Sequence, residues 1–484
     1  MNVKLLNQSS MRKVHPAIRR VRPALAVTAG KAAGRASVLA GRGGGTSLPG
    51  LVAQRIAPDI AATLAADLPR GSLVVAGTNG KTTTSALLSA ALTAHGLRPV
   101  HNSAGANLLR GVASALLARA GPHGRLRVGP DAIGLFEADE AALPAIARAV
   151  QPSVVVITNL FRDQLDRYGE LDVIGSRWRA AFRDLPPDAT LVLNADDPLV
   201  ASLGDDLGRR VVYYGLDLPS GRFARPPESA DSISCRRCGA LLDYERVYYG
   251  HLGMYRCSSC GWARPRPAIS GVAVTSRGLD GSRLHVHADG VDLQIDLRVP
   301  GLYNADNALA ALAGAYAVGI NLTSAAKALE GVDAAFGRAE RLEIDGHTVW
   351  LLLVKNPTGC DEVLHLLGDV TALIDVLAVL NDNAADGLDV SWIWDTSIED
   401  LIPHVRHVTY AGTRAEDMAV RFKYAGHIER EPAIVRDPLA ALDAALAAAP
   451  AGEPLYTLAT YTGMLELRRG LVARGILRHY LSSQ

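Results

Sequence analysis

The chain is predicted to be an α/β protein of two successive parallel-sheet units, the first carrying a small four-cysteine insertion. Three observations predict this. Short β-rich runs alternate with Ala-rich helical runs from Gly71 onward, the pattern of parallel strands joined by crossover helices. A glycine-rich turn ending in Lys-Thr lies between one such strand and the next helix. Two Cys-x-x-Cys pairs, Cys235/Cys238 and Cys257/Cys260, stand 18 residues apart.

Along the chain, residues 1 to 42 hold nine Lys or Arg, and the first carboxylate is Asp59. Residues 1–37 therefore read as a solvated basic extension. The alternative is attraction to an anionic membrane face, at about 1 kcal/mol per basic residue. The run Gly41 to Gly45, followed by Thr46-Ser47-Leu48-Pro49-Gly50, marks the start of the folded body. Residues 73–76, 132–136, 153–158 and 190–193 are predicted buried strands, and 83–95 a helix closed by Gly96. A second α/β unit begins near Arg341, with strands at 349–354, 371–380, 407–411 and 455–459. The domains are then 38–340, with an insertion at 230–266, and 341–484.

The bulk composition narrows the class. A chain of 484 residues suits two or three domains. With 20% charged residues, 49% hydrophobic residues and a net charge of +1, neither disorder nor a nucleic-acid-like positive field is indicated. No nucleic-acid partner is expected. Apolar runs fall short of the roughly 20 residues that cross a bilayer, and the N-terminus lacks the apolar core of a signal peptide. A cytoplasmic location is expected, with a place at the inner membrane face if the basic segment binds lipid.

Gly77-Thr78-Asn79-Gly80-Lys81-Thr82-Thr83 is the segment with the clearest chemistry. Glycines let backbone N–H groups approach phosphate oxygens, and the following helix N-terminus favours negative charge. Lys81 can reach the β- and γ-phosphates of ATP, and Thr82 can bind Mg²⁺. The bland reading is an ordinary strand–helix turn. Two residues separate Gly77 from Gly80, where the general phosphate loop has four.

This shortened loop resembles that of Mur ligases and folylpolyglutamate synthetases. Glu137, directly after a predicted strand, matches the family glutamate that holds Mg²⁺; read alone it is a surface acid in Glu137-Ala138-Asp139-Glu140. Thr158-Asn159-Leu160-Phe161-Arg162-Asp163-Gln164-Leu165-Asp166 is similar to the family's Thr-Asn-Leu-x-x-Asp-His-Leu-Asp, with Gln164 in place of a histidine that helps hold a second metal. Asn194-Ala195-Asp196-Asp197-Pro198 and Tyr303-Asn304-Ala305-Asp306-Asn307 also match. The resemblance implies that Asn304 approaches the nucleotide, though read alone it is a polar residue at a helix start. Arg338, in Gly337-Arg338-Ala339-Glu340, resembles a nucleotide contact; an interdomain ion pair explains it equally well.

The cysteine pairs have the spacing of a zinc ribbon, with Gly239 and Gly261 easing the turns around the metal. Four thiolates leave Zn²⁺ no open position, so its expected role is structural. A small hairpin is predicted between the pairs. Cys360 has no spaced partner and reads as a core residue.

A zinc ribbon inside a Mur-like ATPase is similar to the MurT family, as are Leu353-Val354-Lys355-Asn356-Pro357-Thr358-Gly359 and the run from Leu380 to Asp395. The resemblance covers roughly residues 38–480. It implies a Mur ligase central ATPase domain followed by a Rossmann-like domain. The implied role is the synthetase subunit of lipid II isoglutaminyl synthase, paired with a GatD-type glutaminase as a heterodimer and serving cell-wall biogenesis and cell shape. ATP would phosphorylate the α-carboxylate of D-glutamate in the lipid II stem peptide, and ammonia would displace phosphate to give D-isoglutamine. The resemblance also implies that a carboxylate of this chain orients the glutaminase histidine. Asp389 is the first choice, with Asp382, Asp386 and Asp395 as alternates, although such a loop also reads as a polar turn. The rival enzyme is an amino-acid-adding Mur ligase or a folylpolyglutamate synthetase-like ligase.

Overall fold

Two α/β sheets and one hairpin organise the computed structural model, which describes residues 16–39, 47–102, 105–162, 171–227, 230–333, 338–368, 370 and 372–477. In the first unit the strands are β1 Ser72–Ala76, β2 Arg98–His101, β3 Ala132–Ala138, β4 Val154–Ile157, β5 Thr190–Asn194 and β6 Val211–Leu216. Next come β7 Asp243–Tyr249, β8 Leu252–Arg256, β9 Ile269–Ser276, β10 Ser282–Ala288 and β11 Val291–Leu297. Nine of them form one sheet in the order β11-β10-β9-β6-β5-β4-β1-β3-β2, while β7 and β8 pair separately. From β2 to β9 neighbours are parallel, and β9, β10 and β11 form an antiparallel edge. All five residues of β1 are buried, as expected of a central strand with helices on both faces.

The second unit has β12 Arg338–Ile344, β13 His347–Leu353, β14 Ile374–Val379, β15 Val405–Ala411, β16 Ala433–Ile434 and β17 Leu455–Ala459. Their order is β12-β13-β17-β14-β15-β16, parallel except for β12 against β13. The predicted α/β class and the hairpin between the cysteine pairs are both present.

The helix Leu302–Ala317 is buried from Asn304 through Ala315. Its alanines allow close packing: a Cβ at Gly314 would lie 3.1 Å from Leu88 of the helix Lys81–Ala94. The helix Leu302–Ala317 is thus fixed against the one that follows the Gly77–Thr83 loop.

The N-terminal stretch departs from expectation. Residues 1–15 and the run 40–46 lie outside the described residues, but Pro16–Leu39 is a helix packed on the helix Leu48–Ile56. Ala26 and Val27 are buried, and Lys31 Nζ donates to Ala120 O at 2.6 Å. The physical reason is a stripe of small residues at helical spacing: a Cβ at Gly30 or Gly34 would come within 3 Å of Pro49. Charge drew the sequence reading away from that stripe. No helix among the described residues is long and apolar enough to cross a membrane.

Candidate active site and metal centre

Strand β1 lies between β3 and β4 although the chain visits β2 first, so the order reverses at its carboxyl end, where open α/β sheets bind ligands. Register brings three segments to that edge: Val75 stands opposite Glu137, and Ala76 opposite Ile157. The loop after β1 is braced by the segment after β4. Thr78 N donates to Asn159 O at 2.9 Å, Asn79 N to Asn159 Oδ1 at 2.9 Å, and Thr158 Oγ1 to Asn79 O at 2.7 Å. Gly77 (φ 139°) and Gly80 (φ 84°) are required here, since a Cβ would meet Thr158 Oγ1 at 2.1 Å or Asn307 Oδ1 at 1.9 Å.

Thr82 Oγ1 donates to Glu137 Oε2 at 2.9 Å. His101 Nε2 lies 3.6 Å from Glu137 Oε1. Asn102 pins the Glu137 backbone, its Nδ2 donating to Glu137 O at 3.0 Å and its Oδ1 accepting from Glu137 N at 2.8 Å. A hydroxyl and a carboxylate converging beside a phosphate-type loop suit a hard cation such as Mg²⁺. Lys81 is folded back on the loop: Nζ donates to Gly77 O, to Thr78 O at 3.1 Å and to Glu140 Oε2 at 3.3 Å.

The second unit closes over this edge. Asn356 Nδ2 donates to Asn79 Oδ1 at 3.1 Å, and Lys355 Nζ to Thr78 O at 3.4 Å. Between the units lies a cleft open to solvent, lined by Asn79, Gly80 and Thr83 at one end and by Tyr249, Tyr303, Asn307, Leu352 and Val363 elsewhere. Its position beside the loop, with the apolar side chains of Tyr249, Tyr303 and Leu352, suits a nucleotide. Of the two asparagines in the segment Tyr303–Asn307, Asn307 lines the cleft. Asn304 is fully buried, its Nδ2 donating to Pro300 O at 2.7 Å and its Oδ1 accepting from Asn307 Nδ2. The two share one face of the helix, with Asn304 bonded back to Pro300 O and Asn307, one turn further on, set against Gly80. For Arg338 the backbone belongs to β12, while its side chain, like Asp163, Gln164 and Asp166, lies outside the described residues.

The sulphurs of Cys235, Cys238, Cys257 and Cys260 all lie within 4.8 Å of one another. Cys235 to Cys260 is 3.6 Å, and Cys238 to Cys257 is 3.5 Å. Tetrahedral Zn²⁺ with bonds of about 2.3 Å sets neighbouring sulphurs about 3.8 Å apart, so the four thiols fit zinc. Cys360 is buried in the second unit, which raises its thiol pKa.

The segment Asn194–Pro198 turns out to be a docking platform for the ribbon. Asp196 accepts from Arg264 Nε at 2.6 Å and from Leu216 N at 2.7 Å, and burial holds its carboxyl up at about 6. Asp197 caps Leu199 N and Val200 N and accepts from Leu160 N. Asp306, fully enclosed, accepts from Tyr249 OH at 2.8 Å and Asn194 Nδ2 at 2.9 Å, and burial pushes it up to about 8.

The Asp-rich loop follows β14, and its four carboxylates differ. Asp386 is buried and accepts from Thr462 N at 2.8 Å. Asp382 accepts from Thr413 Oγ1 at 2.8 Å and pairs with Arg414. Asp389 is exposed, and Ser391 N, donating at 2.8 Å, holds its carboxyl below the usual range. Asp395 is exposed, 3.7 Å from Arg162.

Comparison with known proteins places this geometry. The Mur ligase middle domain pattern matches residues 75–226, and the MurT ligase C-terminal pattern matches residues 353–464. The chain is 34% identical over 460 residues to the lipid II isoglutaminyl synthase (glutamine-hydrolyzing) subunit MurT of Streptococcus pneumoniae, covering 94% of this chain and 99% of the relative. The chain belongs to the MurT family. It is an ATP-dependent ligase. A second MurT relative, from Staphylococcus aureus strain COL, is 33% identical over 403 residues, 83% of this chain and 87% of its own.

The fold recurs in more distant solved structures. A pseudomurein peptide ligase type C from Methanothermus fervidus superposes with a TM-score of 0.61 at 23% identity, covering 84% of this chain and 78% of its own. MurF from Acinetobacter baumannii gives 0.60 at 16%, with 86% and 79% covered. These show the MurT chain's fold alone. Asn102, Glu140, Asn159, Asn307 and Tyr249 line or brace the site without having been singled out for it in the sequence. Asn159 sat within a quoted motif, whereas Tyr249 in the ribbon carried no signal pointing to the cleft.

Proposed function

We propose that this MurT-family chain is the synthetase component that amidates the α-carboxylate of D-glutamate in the lipid II stem peptide, giving D-isoglutamine. The observation that carries the reading is the 34% identity across nearly the whole length of a MurT relative. ATP is bound with its phosphates at Gly77–Thr83, Mg²⁺ is held by Thr82 and Glu137, and Lys81 leaves Glu140 to meet the phosphates. Neutralising the transferring phosphoryl group is the main electrostatic demand of forming an acyl phosphate. Because the helix Pro16–Leu39 packs on the first unit and β12 opens the second sheet at Arg338, the first domain starts earlier than 38 and the junction lies before 341, with Arg338 there as a nucleotide contact. Ammonia comes from a GatD-type glutaminase docked beside the Asp-rich loop, where Leu388 and Trp394 are exposed apolar side chains next to Asp389 and Asp395. The lipid-linked substrate places the enzyme at the inner membrane face.

The test is reconstitution with lipid II, ATP, Mg²⁺ and ammonium chloride. A mass loss of about one unit on the glutamyl residue, the change from –OH to –NH₂, supports the reading. Attachment of an amino acid instead would establish the rival ligase.

A further inference from the structure

The ribbon hairpin runs from the metal centre to the cleft. At the cysteine end Asp243 pairs with Arg256, and at the other Tyr249 pairs with Leu252, a span of roughly 20 Å at about 3.3 Å per residue. The two ends belong to different cores. Cys235, Leu242, Tyr255, Cys257 and Trp262 form a small cluster around the metal ligands, while Tyr248, Tyr249 and Leu252 are part of the main core of the first unit. Between them the hairpin is fastened to the Asn194–Pro198 platform: Tyr255 OH donates to Ala195 O at 3.0 Å and Gly253 N to Asp196 O at 3.0 Å.

The tip is wedged between the two α/β units. A Cβ at Gly250 (φ 54°) would meet Phe161 of the first unit at 2.8 Å and Thr358 of the second at 3.3 Å. Tyr249 lines the cleft between the units on one side. Gly250 and His251 line a second cleft on the other, and Thr358 and Glu362 border both. Just before the ribbon, Arg222 Nη1 donates to Glu362 Oε1 at 2.7 Å. Tyr249 is held in place by its hydroxyl on Asp306, one residue before the cleft-lining Asn307.

With the phosphates at Gly77–Lys81, the cleft offers beyond them the rings of Tyr249 and Tyr303 with Leu352 and Val363, and polar groups at Asn307, Lys355 and Glu362, a surface suited to a planar heteroaromatic base with hydrogen-bonding edges. We propose that the four-cysteine ribbon forms a wall of the nucleotide cleft, with Tyr249 at its tip positioning the base, so that metal loading of the cysteines sets nucleotide affinity. This rests on the nucleotide reading of the cleft given above.

The test compares the affinity of the full-length chain for ADP and for inorganic pyrophosphate, with Mg²⁺, by calorimetric titration. Tyr249→Ala and zinc-stripped protein should each weaken ADP about tenfold or more, within the range a base–aromatic contact supplies, yet change pyrophosphate by no more than about twofold. Tyr249→Phe keeps the ring and should restore ADP to within about threefold of the parent. Equal loss of ADP and pyrophosphate would overturn the proposal, because a general disturbance of the fold does not distinguish them. No loss for Tyr249→Ala would also overturn it. If stripping the metal unfolds the chain, Cys238→Ser, which removes one exposed ligand, takes its place, and unchanged ADP affinity in that variant overturns the metal link. Lys81→Ala separates the two readings: it should weaken both ligands, and if it weakens neither, the nucleotide reading has failed whatever Tyr249 does.

Discussion

Lys81 and Glu140 form an ion pair at 3.3 Å in which both side chains are nearly enclosed, at 11% and 4% exposure. The sequence alone suggests that removing Lys81 costs catalysis and leaves the fold intact. The pair changes that expectation, because truncation strands a buried carboxylate, at a cost of roughly 3–5 kcal/mol. Lys81→Ala should abolish amidation and lower stability in urea titrations. Adding Glu140→Gln should recover much of the stability while activity stays lost. A double variant no more stable than the single one would show that Glu140 is balanced by other groups.

Glu137 meets Thr82 at 2.9 Å, with Asn102 fixing its backbone from both sides. Glu137→Gln keeps the shape and removes the charge that attracts Mg²⁺. ATP turnover should fall by about a hundredfold or more, and raising Mg²⁺ should recover part of it. Unchanged turnover at low Mg²⁺ would remove Glu137 from the metal site.

The fold was legible because its signals are local. Residues 73–76, read as a buried strand, lie in β1, and the loop that follows carries its chemistry in consecutive letters. Much of the site was not legible, because it is assembled across long separations. Asn79 meets Asn356, and Tyr249 meets Asp306, only after the sheet order and the ribbon docking are set. Asn304 was named and Asn307 was not, because a motif names positions without saying which of two side chains on one helix face reaches the loop. The N-terminal helix was hidden for a related reason: its Ala26, Gly30 and Gly34 stripe has meaning only against Pro49.

Among the loop carboxylates, geometry separates roles that the sequence could only rank. Asp386 holds Thr462, so Asp386→Asn should loosen the loop and lower thermal stability. Asp389 is exposed and spends one oxygen on Ser391 N. Asp389→Asn should therefore leave stability unchanged and spare ammonium-driven amidation. Glutamine-driven amidation with the glutaminase should fall, by up to about 10⁴ if this carboxylate orients the partner's histidine. Loss of both activities would move Asp389 to the ATP site, and loss of neither would leave the loop a structural turn.

Asp306 gives the chain a pH dependence of unusual sign for a carboxylate. Its Oδ2 accepts from Tyr249 and Asn194, its Oδ1 has no hydrogen-bond partner among the described residues, and burial pushes its pKa up to about 8. An unfolded aspartate ionises near pH ~3.9. Between that value and about 8 the folded chain keeps a proton that the unfolded chain has released, so stability falls as pH rises through this window and levels off above it. Asp196 and Asp361, both raised by burial to about 6, act in the same direction but finish earlier. The interval from pH ~6.5 to ~8.5 lies above both, and there the difference between the parent and a variant lacking this carboxyl reports Asp306. Urea denaturation across it should show the parent losing stability. Asp306→Asn, which keeps an acceptor for Tyr249 and has no proton to lose, should show a flatter slope. The comparison concerns slopes, because the new amide N–H₂ lacks an acceptor and lowers the whole curve. Parallel slopes for the two proteins would mean that Asp306 is already ionised in the folded chain at pH ~6.5, with Tyr249 and Asn194 stabilising the charge more strongly than burial opposes it.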